Sequence, residues 1–490
     1  MNGDQITLLG AILILADLAI RIAALIIVPR DRKPTAAMAW LLAIFLIPFI
    51  GIILFLIIGN SRLPKKRREK QNELNRIITA RAEGITVGDD HTDWPDWFAS
   101  LVHQNHELGA LPAVGGNTAT LIGDYRSSID AMTADIDTAA RFVHVEFFIV
   151  SWDATTREFF AAMERAVRRG VPVRLLADYV ASRRAVDSDK TFAELDRIGV
   201  KWSWMLPVRP FSGEYQRPDL RNHRKLVVVD GLVGHMGSQN LIDRSYNTPK
   251  NLKRGLQWQE LMTRITGPIV SETNAVFLSD WYLETGELLG ADAQLRAVDV
   301  PADPSRDALV CQVVPSGPGY EGENNLRQFL TLVTSAQRKV IITSPYFVPD
   351  EAMMYAITSA CQRGLNVQLF VSEVGDQGSV WHAQRSYYEP LLRAGVEIWL
   401  YPAPFILHSK HLSIDDDVAV IGSSNMDIRS FALNSEVTLL VRGRTFVAQM
   451  REVEQGYRDA GRQLTLEEWQ REPRSATFLD GVARLTSALQ

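Results

Sequence analysis

One feature constrains the fold of this chain more than any other: two distant stretches carry the same polar pattern. RNHRKLVVVDG runs from Arg221 to Gly231, and LHSKHLSIDDD runs from Leu407 to Asp417. Both contain HxKxxxxD, which would occur twice by chance with a probability on the order of 10⁻⁴. A duplication that served packing alone would keep apolar periodicity and glycines, with no reason to keep histidine, lysine and aspartate together. The repeat therefore predicts two similar halves that share one chemistry.

The repeat continues beyond these motifs. Each is followed at the same distance by a short polar segment, GSQN or GSSN, and these segments supply Ser238, Asn240, Ser423 and Asn425. Further on, Glu260 and Glu436 open the apolar segments ELMTRI and EVTLLVR. Glu260 stands farther from its histidine than Glu436 does, so we expect an extra loop around Tyr246 to Gly255 in the first half.

From about Ala110 onward, short β-rich runs alternate with helical stretches. RFVHVEFFIV (Arg141 to Val150) and KVIITSPYFV (Lys339 to Val348) are apolar strands that end in aromatic residues. Each half then has a helix closed by Arg-Gly, where glycine suits the position after a helix, and another strand. This alternation is typical of an α/β fold. We expect one lobe over 111–295 and a second, pseudo-symmetric lobe over 296–490.

Before the repeat, two segments are almost continuously apolar, Ile6 to Val28 and Ala36 to Ile58. As helices, both are long enough to cross a bilayer core of roughly 30 Å. The first lacks the basic start and the cleavage site of a signal peptide. Residues 1–60 are therefore predicted to form a two-helix membrane hairpin, with Pro48 and Gly51 expected to kink the second helix.

The charges around these segments bear on topology. Asp17 and Arg21 are spaced to pair on one face of the first helix, which lowers their cost in lipid. A charged linker is predicted over 61–110, and it carries the largest basic cluster: Arg62, Lys65, Lys66, Arg67, Arg68 and Lys70. The positive-inside rule then places the large C-terminal part in the cytoplasm, and the cluster would favour an anionic lipid surface. Basic residues in the loop between the helices weaken that topology: Arg30, Arg32 and Lys33.

Composition excludes several other classes of protein. A net charge of −5 over 490 residues argues against a general nucleic-acid binder. The two cysteines, Cys311 and Cys361, are far apart and lie near apolar segments, so we expect reduced thiols and no disulfide. No cluster of histidine and carboxylate residues at metal-ligand spacing is evident in the sequence, and the chemistry considered below needs no metal and no cofactor.

The residue types in each repeat suit the chemistry of a phosphate ester. His223 and Lys225 are two apart on an expected strand, so they project from one face toward one ligand, as do His408 and Lys410. A tetrahedral anion could lie between two lysines and two Ser/Asn pairs, whose donors stabilise charge on phosphate oxygens. One histidine can attack phosphorus while the other protonates the leaving alkoxide. The symmetry of the motifs leaves open which histidine does which.

The acidic residues are expected to support this site. Glu260 and Glu436 can accept the Nδ1 protons of the histidines and so fix the tautomer that presents Nε2. Asp230 and Asp415 follow apolar or alternating runs at predicted turns. We expect these aspartates mainly to hold the loops by hydrogen bonds.

The paired HxKxxxxD and GSxN units resemble those of the phospholipase D superfamily. KPTAAMAWLLAIFLIPFIGIILFLIIG (Lys33 to Gly59) is similar to the second membrane helix of bacterial cardiolipin synthases. The resemblance implies two lobes, each a mixed sheet flanked by helices, and a transferase that moves a phosphatidyl group between two phosphatidylglycerol molecules and releases glycerol. It also implies that His223 is the nucleophile and His408 the general acid and base. The family's catalytic residues carry over as His223, Lys225, Asp230, Ser238 and Asn240, and as His408, Lys410, Asp415, Ser423 and Asn425.

Other functions remain open at this point. A hydrolase of the same superfamily, a phospholipase D or a nuclease, would differ only in using water to resolve the intermediate. The membrane hairpin and the acidic balance count against a nuclease, and a scaffold without activity gives no reason to keep every reactive residue in both halves. Phosphatidylethanolamine could replace phosphatidylglycerol as the acceptor, because head-group selectivity lies in loops. The implied location is the bacterial inner membrane, and the oligomeric state cannot be read from the sequence.

Overall fold

The computed structural model describes residues 3–30, 32, 34–59, 63–82, 94–109, 111–209, 214–289, 309–320 and 322–485. They form two compact units, a smaller one of Met1–Arg62 with Arg217–Asp219, and a larger one of Leu63–Gln216 with Leu220–Gln490. The predicted boundary between 295 and 296 lies outside the described residues, as do Arg62 and Lys33 of the predicted basic clusters.

The smaller unit contains the helices α1 (Gly3–Ile27), α2 (Pro34–Leu46) and α3 (Pro48–Ile58). The segment predicted as one kinked helix is therefore two helices. Ile47 leaves the helical region with a φ of −137°, and Pro48 opens α3 at a position where its missing N–H costs nothing. Asp17 and Arg21 form the predicted pair, with Arg21 Nε 2.8 Å from a carboxylate oxygen.

The prediction of a membrane-spanning hairpin is not confirmed by these helices. Among the side chains that the structure describes, no helix combines the length and the apolar character needed to cross a bilayer. The break at Pro48 is one physical reason, because it divides the second apolar segment into two short helices.

The larger unit begins with two helices in the stretch predicted as a linker, α4 (Lys65–Ala82) and α5 (Asp96–Gly109). Phe98 and Leu101 of α5 belong to the hydrophobic core of the second half. In α4, Arg67 forms a buried ion pair with Glu284. The described part of this stretch is thus packed into the larger unit.

The remaining helices are α6 (Tyr125–Asp137), α7 (Arg157–Arg168), α8 (Tyr179–Arg183), α9 (Ser188–Ile198), α10 (Pro249–Arg254), α11 (Ile269–Thr285), α12 (Asn324–Ser335), α13 (Glu351–Gln362), α14 (Gly378–Arg385), α15 (Tyr388–Ala394), α16 (Ile428–Ala432), α17 (Arg444–Ala460), α18 (Leu466–Gln470) and α19 (Arg474–Leu485). Helix α10 lies in the predicted extra loop of the first half. Thr248 caps its start, and Gly255, with a φ of +65°, ends it.

The strands are β1 (Val114–Ile122), β2 (Val143–Phe147), β3 (Val173–Asp178), β4 (Lys201–Met205), β5 (Val208–Arg209), β6 (Glu214–Tyr215), β7 (Lys225–Val229), β8 (Val233–Gly237), β9 (Gln257–Gln259), β10 (Met262–Thr266), β11 (Leu309–Ser316), β12 (Lys339–Thr343), β13 (Phe347–Val348), β14 (Asn366–Ser372), β15 (Glu397–Tyr401), β16 (Phe405–Leu407), β17 (His411–Ile414), β18 (Val418–Gly422), β19 (Met426–Asp427), β20 (Glu436–Arg442) and β21 (Arg462–Leu464).

Fifteen of these strands form one mixed sheet, in the order β21-β15-β14-β12-β17-β18-β20-β11-β1-β10-β8-β7-β2-β3-β4. The order reads alike in both directions from the antiparallel β11–β1 pair, apart from the additional edge strand β21. Strands β2, β3 and β4 are parallel, as are β12, β14 and β15, whereas the central strands are antiparallel. The α/β fold with a mixed sheet flanked by helices is as predicted, and the two halves are joined through the sheet itself.

The valine-rich run of the first motif is buried on both faces of this sheet. Leu226 and Val228 face a core that also contains Ile421 and Leu439 of the second half. Val227, on the opposite face, belongs to the core beneath the outer helices of the first half. A strand covered on both sides has no polar face, which is why the sequence reads as an uninterrupted apolar run.

Candidate active site

Each histidine stands just before a central strand and is clamped against the opposite half. His223 precedes β7, and its main-chain N–H donates to the main-chain carbonyl of Ser435 at 2.8 Å. His408 precedes β17, and its N–H donates to the carbonyl of Gln259 at 2.7 Å. Because Ser435 and Gln259 directly precede the two glutamates, each histidine is placed beside the glutamate of the other half.

The imidazoles and the glutamates therefore pair across the two halves. His223 Nδ1 lies 3.0 Å from both carboxylate oxygens of Glu436, and His408 Nδ1 lies 2.7 Å from Glu260 Oε1. All four side chains are buried. A carboxylate on Nδ1 holds the proton there and leaves Nε2 of each ring for a substrate. The longer spacing before Glu260 in the sequence does not prevent the equivalent contact, because the intervening α10 loop takes up the extra residues.

Burial dominates the electrostatics of the imidazoles. It disfavours the charged ring and lowers the pKa of His223 and of His408 to about 4 each. The paired glutamates raise these pKa values in part, and both lysines lower them further. Because the charges of both lysines act on each histidine, the two histidines and the two lysines form one electrostatic cluster.

The glutamates remain ionised in this cluster. Burial alone would raise the pKa of Glu436, but His223 and Lys225 more than offset it, so the pKa lies below its ordinary value. The same balance, with His408 and Lys410, lowers the pKa of Glu260.

The two lysines lie beside the histidines and are buried as well. Lys225 Nζ donates to the carbonyl of His223, and Lys410 Nζ donates to the carbonyl of His408 at 2.7 Å. Burial lowers the pKa of Lys225 well below its ordinary value and that of Lys410 to about 8. Two buried ammonium groups without a bulk-water shell favour an anion between them.

The serines of the GSxN segments, which were predicted to bind phosphate, contact the glutamates. Ser238 Oγ donates to Glu260 at 2.6 Å, and Ser423 Oγ donates to Glu436 at 2.6 Å. In this arrangement each hydroxyl hydrogen is engaged by a carboxylate. The serines thus hold the glutamates that contact the histidines, and their binding of phosphate stays a prediction.

The asparagines of these segments are not equivalent in their contacts. Asn240 accepts from the N–H of Ile149 at 3.2 Å and donates to the hydroxyl of Tyr246 at 2.8 Å. The buried Oδ1 of Asn425 has no hydrogen-bond partner among the described residues. Asn425 Oδ1 therefore keeps the capacity to accept a hydrogen bond, which Asn240 Oδ1 has already used.

The aspartates lie at the far ends of β7 and β17 from the histidines. Asp230, with a φ of +57°, accepts from the N–H groups of Ala140, Arg141 and Phe142. Asp415, with a φ of +48°, accepts in the same way from Gln337, Arg338 and Lys339. These hydrogen bonds hold the chain where β2 and β12 begin, and the aspartates do not enter the site.

Three aromatic residues near the histidines were not among the predicted site residues. Phe148 is edge-on to His223, with ring centroids 4.8 Å apart. Tyr246 and Tyr346 are both edge-on to His408, at 6.4 Å and 6.2 Å. The sequence offered one indication of each residue. Phe148 and Tyr346 lie at the aromatic ends of the two apolar strands, and Tyr246 lies in the extra loop of the first half.

A buried polar layer behind the first motif was also not predicted. Arg224 forms an ion pair with Asp280 of α11, and its Nε donates to the main-chain carbonyl of Glu436 at 3.0 Å. Asn222 donates to Glu146 at 2.7 Å and accepts from the N–H of Arg224 at 3.0 Å. This layer therefore braces the backbone on both sides of His223. Across the described part of the chain, no group of histidine, cysteine or carboxylate side chains could hold a metal ion.

Comparisons with known proteins agree with this geometry. A family model described as "Cardiolipin synthase, PLD-like domain" matches residues 132–281 and 329–455, and one described as "Phospholipase_D-nuclease N-terminal" matches residues 19–60. Cardiolipin synthase A of Proteus mirabilis is 29% identical over 456 residues, which cover 90% of each chain. Cardiolipin synthase A of Wigglesworthia glossinidia brevipalpis is 30% identical over 482 residues, covering 96% of this chain and 93% of the relative.

The fold is also similar to a solved structure. The phosphatidylserine synthase of Haemophilus influenzae aligns with a TM-score of 0.59 at 15% sequence identity, over 81% of this chain and 100% of that one. At this identity the likeness concerns the fold alone.

Proposed function

This chain belongs to the family of cardiolipin synthases with phospholipase D-like domains, and from that premise we propose how its two halves carry out the reaction. The enzyme is a phosphatidyltransferase that makes cardiolipin. The observation that carries the mechanism is the crossed pairing of His223 with Glu436 and of His408 with Glu260 at one buried site. Two imidazoles that both present Nε2 to one place suit a two-step transfer through a covalent intermediate.

In the first step, His223 Nε2 attacks the phosphorus of one phosphatidylglycerol. A nitrogen–phosphorus bond forms, the bond to the head-group glycerol breaks, and His408 protonates the departing glycerol oxygen. Glu436 stabilises the positive charge that develops on His223. Lys225 and Lys410 lie where they can neutralise the non-bridging oxygens, with Asn425 as a further donor.

In the second step, the terminal hydroxyl of another phosphatidylglycerol takes the place of the glycerol. His408 removes its proton, the oxygen attacks phosphorus, and the bond to His223 breaks to release cardiolipin. The same residue thus acts as acid and then as base, as microscopic reversibility requires.

The protonation states of the two histidines are compatible with attack by His223 in the first step. With pKa values of about 4, both histidines are neutral near pH 7, so His223 has a lone pair for attack. The acid role needs a proton on His408. The negative phosphate of a bound substrate lies near both rings and favours the charged form of one of them, which supplies that proton.

Membrane association is proposed for the smaller unit. Its helices leave many large apolar side chains exposed; Leu56 is 75% exposed, and Met38 and Leu46 are 71% exposed. Surface of this kind is costly in water and suits the interior of a bilayer. A two-span topology is not supported, because no helix among the described residues is long and apolar enough to cross a bilayer, and the cytoplasmic placement of the catalytic lobes stays a prediction. Sedimentation with phosphatidylglycerol vesicles tests the association, and release of the whole protein by high salt alone would contradict embedding.

One assay tests the activity. Purified protein in mixed micelles is given labelled phosphatidylglycerol, and the lipid products are separated. We expect cardiolipin and free glycerol in equal amounts. Phosphatidic acid as the only product would show a hydrolase instead.

The nucleophile is tested by trapping. We expect wild-type protein denatured in detergent at alkaline pH to carry labelled phosphatidyl on histidine and His223→Ala to carry none. His408→Ala is the matched variant in the other half, and it should still label with a donor whose leaving group needs no proton, such as a p-nitrophenyl ester. Labelling of His223→Ala but not of His408→Ala would reverse the assignment.

A further inference from the structure

The aromatic surroundings of the two histidines differ. His223 meets the apolar ring of Phe148. His408 is bracketed by two phenol rings, Tyr246 and Tyr346, both nearly perpendicular to it. The proposed mechanism places the glycerol head group on the His408 side, because His408 exchanges a proton with its oxygen. The two tyrosine hydroxyls therefore belong to the side of the site on which the mechanism places the glycerol hydroxyls.

Tyr346 is hydrogen-bonded to the carboxylate of Asp376, which has no role in the proposed reaction steps. Its hydroxyl lies 3.1 Å and 3.0 Å from the two carboxylate oxygens of Asp376, and Gln377 donates to the same hydroxyl at 3.2 Å. Within the described residues, no lysine, arginine or histidine lies at ion-pair distance from Asp376. Burial lowers the pKa of Lys410, and the attraction of Asp376 offsets a small part of this, so the carboxylate lies within electrostatic reach of Lys410.

A recess adjoins this group. Tyr346, Asp376, Gln377, Ser372 and Gln384 supply its polar lining. The space in it that a water-sized group can occupy is about 10 Å³, so it admits one hydroxyl group and no acyl chain.

The loop that carries Asp376 is held by the extra loop of the first half. Lys250 Nζ donates to the carbonyl of Asp376 at 3.0 Å, and Arg254 donates to the carbonyl of Gly375 at 2.8 Å. Both cations belong to α10, which has no counterpart in the second half. The insertion thus stabilises a polar group next to His408.

Among the described residues of the first half, no equivalent group lies beside His223. The bridges Val150 to Leu241 and Phe347 to Met426 align the two halves, so Ile149 takes the place of Tyr346. An isoleucine can neither donate to nor accept from a hydroxyl group. The asymmetry matches a reaction in which the exchanging alcohol occupies only one side of the phosphate.

We propose that Tyr346 and Asp376 form a polyol subsite, which binds the glycerol leaving from the donor and then the glycerol head group of the acceptor lipid. This inference rests on the proposed function. One free hydroxyl of the glycerol enters this recess and donates to the Asp376 carboxylate beside the Tyr346 hydroxyl, so the alcohol oxygen is held toward His408. A site built to bind hydroxyl groups also favours glycerol over water and simple alcohols at the intermediate.

The test is competition between two alcohols for one intermediate. The full-length enzyme in mixed micelles receives the p-nitrophenyl phosphatidyl ester with glycerol and ethanol together, and phosphatidylglycerol and phosphatidylethanol are measured. Their ratio does not depend on the fraction of active protein. We expect Asp376→Asn and Tyr346→Phe each to lower this ratio about tenfold, the effect of losing one hydrogen bond to a charged or hydroxyl partner. Gln377→Ala, at an exposed position, should lower it less.

Matched controls are Asp416→Asn and Tyr355→Phe, which change the same residue types at exposed positions away from the site. They should leave the ratio at the wild-type value. An unchanged ratio in Asp376→Asn, Tyr346→Phe and Gln377→Ala overturns the subsite. Loss of both products in folded protein also overturns it, because the pair would then serve the chemistry instead of the choice of alcohol. If the wild type releases nitrophenol yet makes no cardiolipin from phosphatidylglycerol, it is the proposed function that fails.

Discussion

The two histidine motifs contain the same histidine and lysine, but the residues that surround them differ. Around His223, the neighbours Arg221, Asn222 and Arg224 contact three buried acids: Asp178, Glu146 and Asp280. The positions around His408 are Ile406, Leu407 and Ser409. Where Asp178 accepts the N–H of Asn222 at 3.0 Å, Ser372 accepts that of Leu407 at 2.8 Å.

The comparison separates the residues proposed to react from the buried residues that hold them in place. The residues proposed to bind the phosphate are the same in both halves, whereas the neighbours of the histidine form ion pairs in the first half and are neutral in the second. Buried ion pairs contribute little net stability, because desolvation offsets their attraction, but they hold groups in fixed directions. Arg224 reaches the main chain of Glu436, so the ionic layer braces the dyad of the proposed nucleophile.

The largest expected effect comes from the crossed glutamates. Glu436→Gln and Glu260→Gln should each lower the turnover about 10²- to 10⁴-fold, because the amide no longer enforces the reactive tautomer. The two variants should differ in the step they slow. With the p-nitrophenyl ester, Glu436→Gln slows formation of the phosphatidyl-enzyme, and Glu260→Gln slows its transfer to the acceptor. Rapid-quench measurements of labelled protein check this, and equal effects on both steps would remove the division of roles.

A second prediction addresses the supporting layers. Asp280→Asn leaves the Arg224 charge buried without its partner, and we expect a loss of roughly 3–5 kcal/mol in stability. Ser409→Ala, at the position equivalent to Arg224, removes one neutral hydrogen bond with Tyr457 and should cost about 1 kcal/mol. Calorimetric melting of the protein in detergent compares the two. The double variant Arg224→Met with Asp280→Leu should recover most of the loss, and a double variant less stable than Asp280→Asn would contradict this account.

The smallest expected effect concerns pH. Lys410 is cationic below its pKa of about 8 and loses its charge as the pH rises through that value. The ratio kcat/KM for phosphatidylglycerol should therefore be retained below pH 8 and fall about tenfold for each pH unit above it. Lys410→Arg keeps the charge and should abolish this fall, at the cost of a lower plateau. A falling limb that stays near pH 8 in this variant would assign it to another group, and Lys225→Arg is the comparison in the first half.

Much of the site followed from the sequence because a strand has a simple geometry. His223 and Lys225 lie two apart at the start of a strand and had to point the same way. The hydrogen-bond partners of the Ser238 and Ser423 hydroxyls could not be predicted in this way. Their sequence positions suit a phosphate ligand and a carboxylate ligand equally well, and only the structure shows the hydrogen bonds to the glutamates.

By itself, the sequence determined the two-fold repeat and the α/β class, and it predicted which residues of the two halves bind the phosphate. These follow from local rules, since periodicity and spacing act over a few residues. Only the tertiary structure decided that each glutamate serves the histidine of the opposite half, that the layer behind His223 is ionic, and that Tyr346 and Asp376 lie beside His408. Those contacts join residues far apart in the chain, and their distances depend on how the sheet brings the halves together.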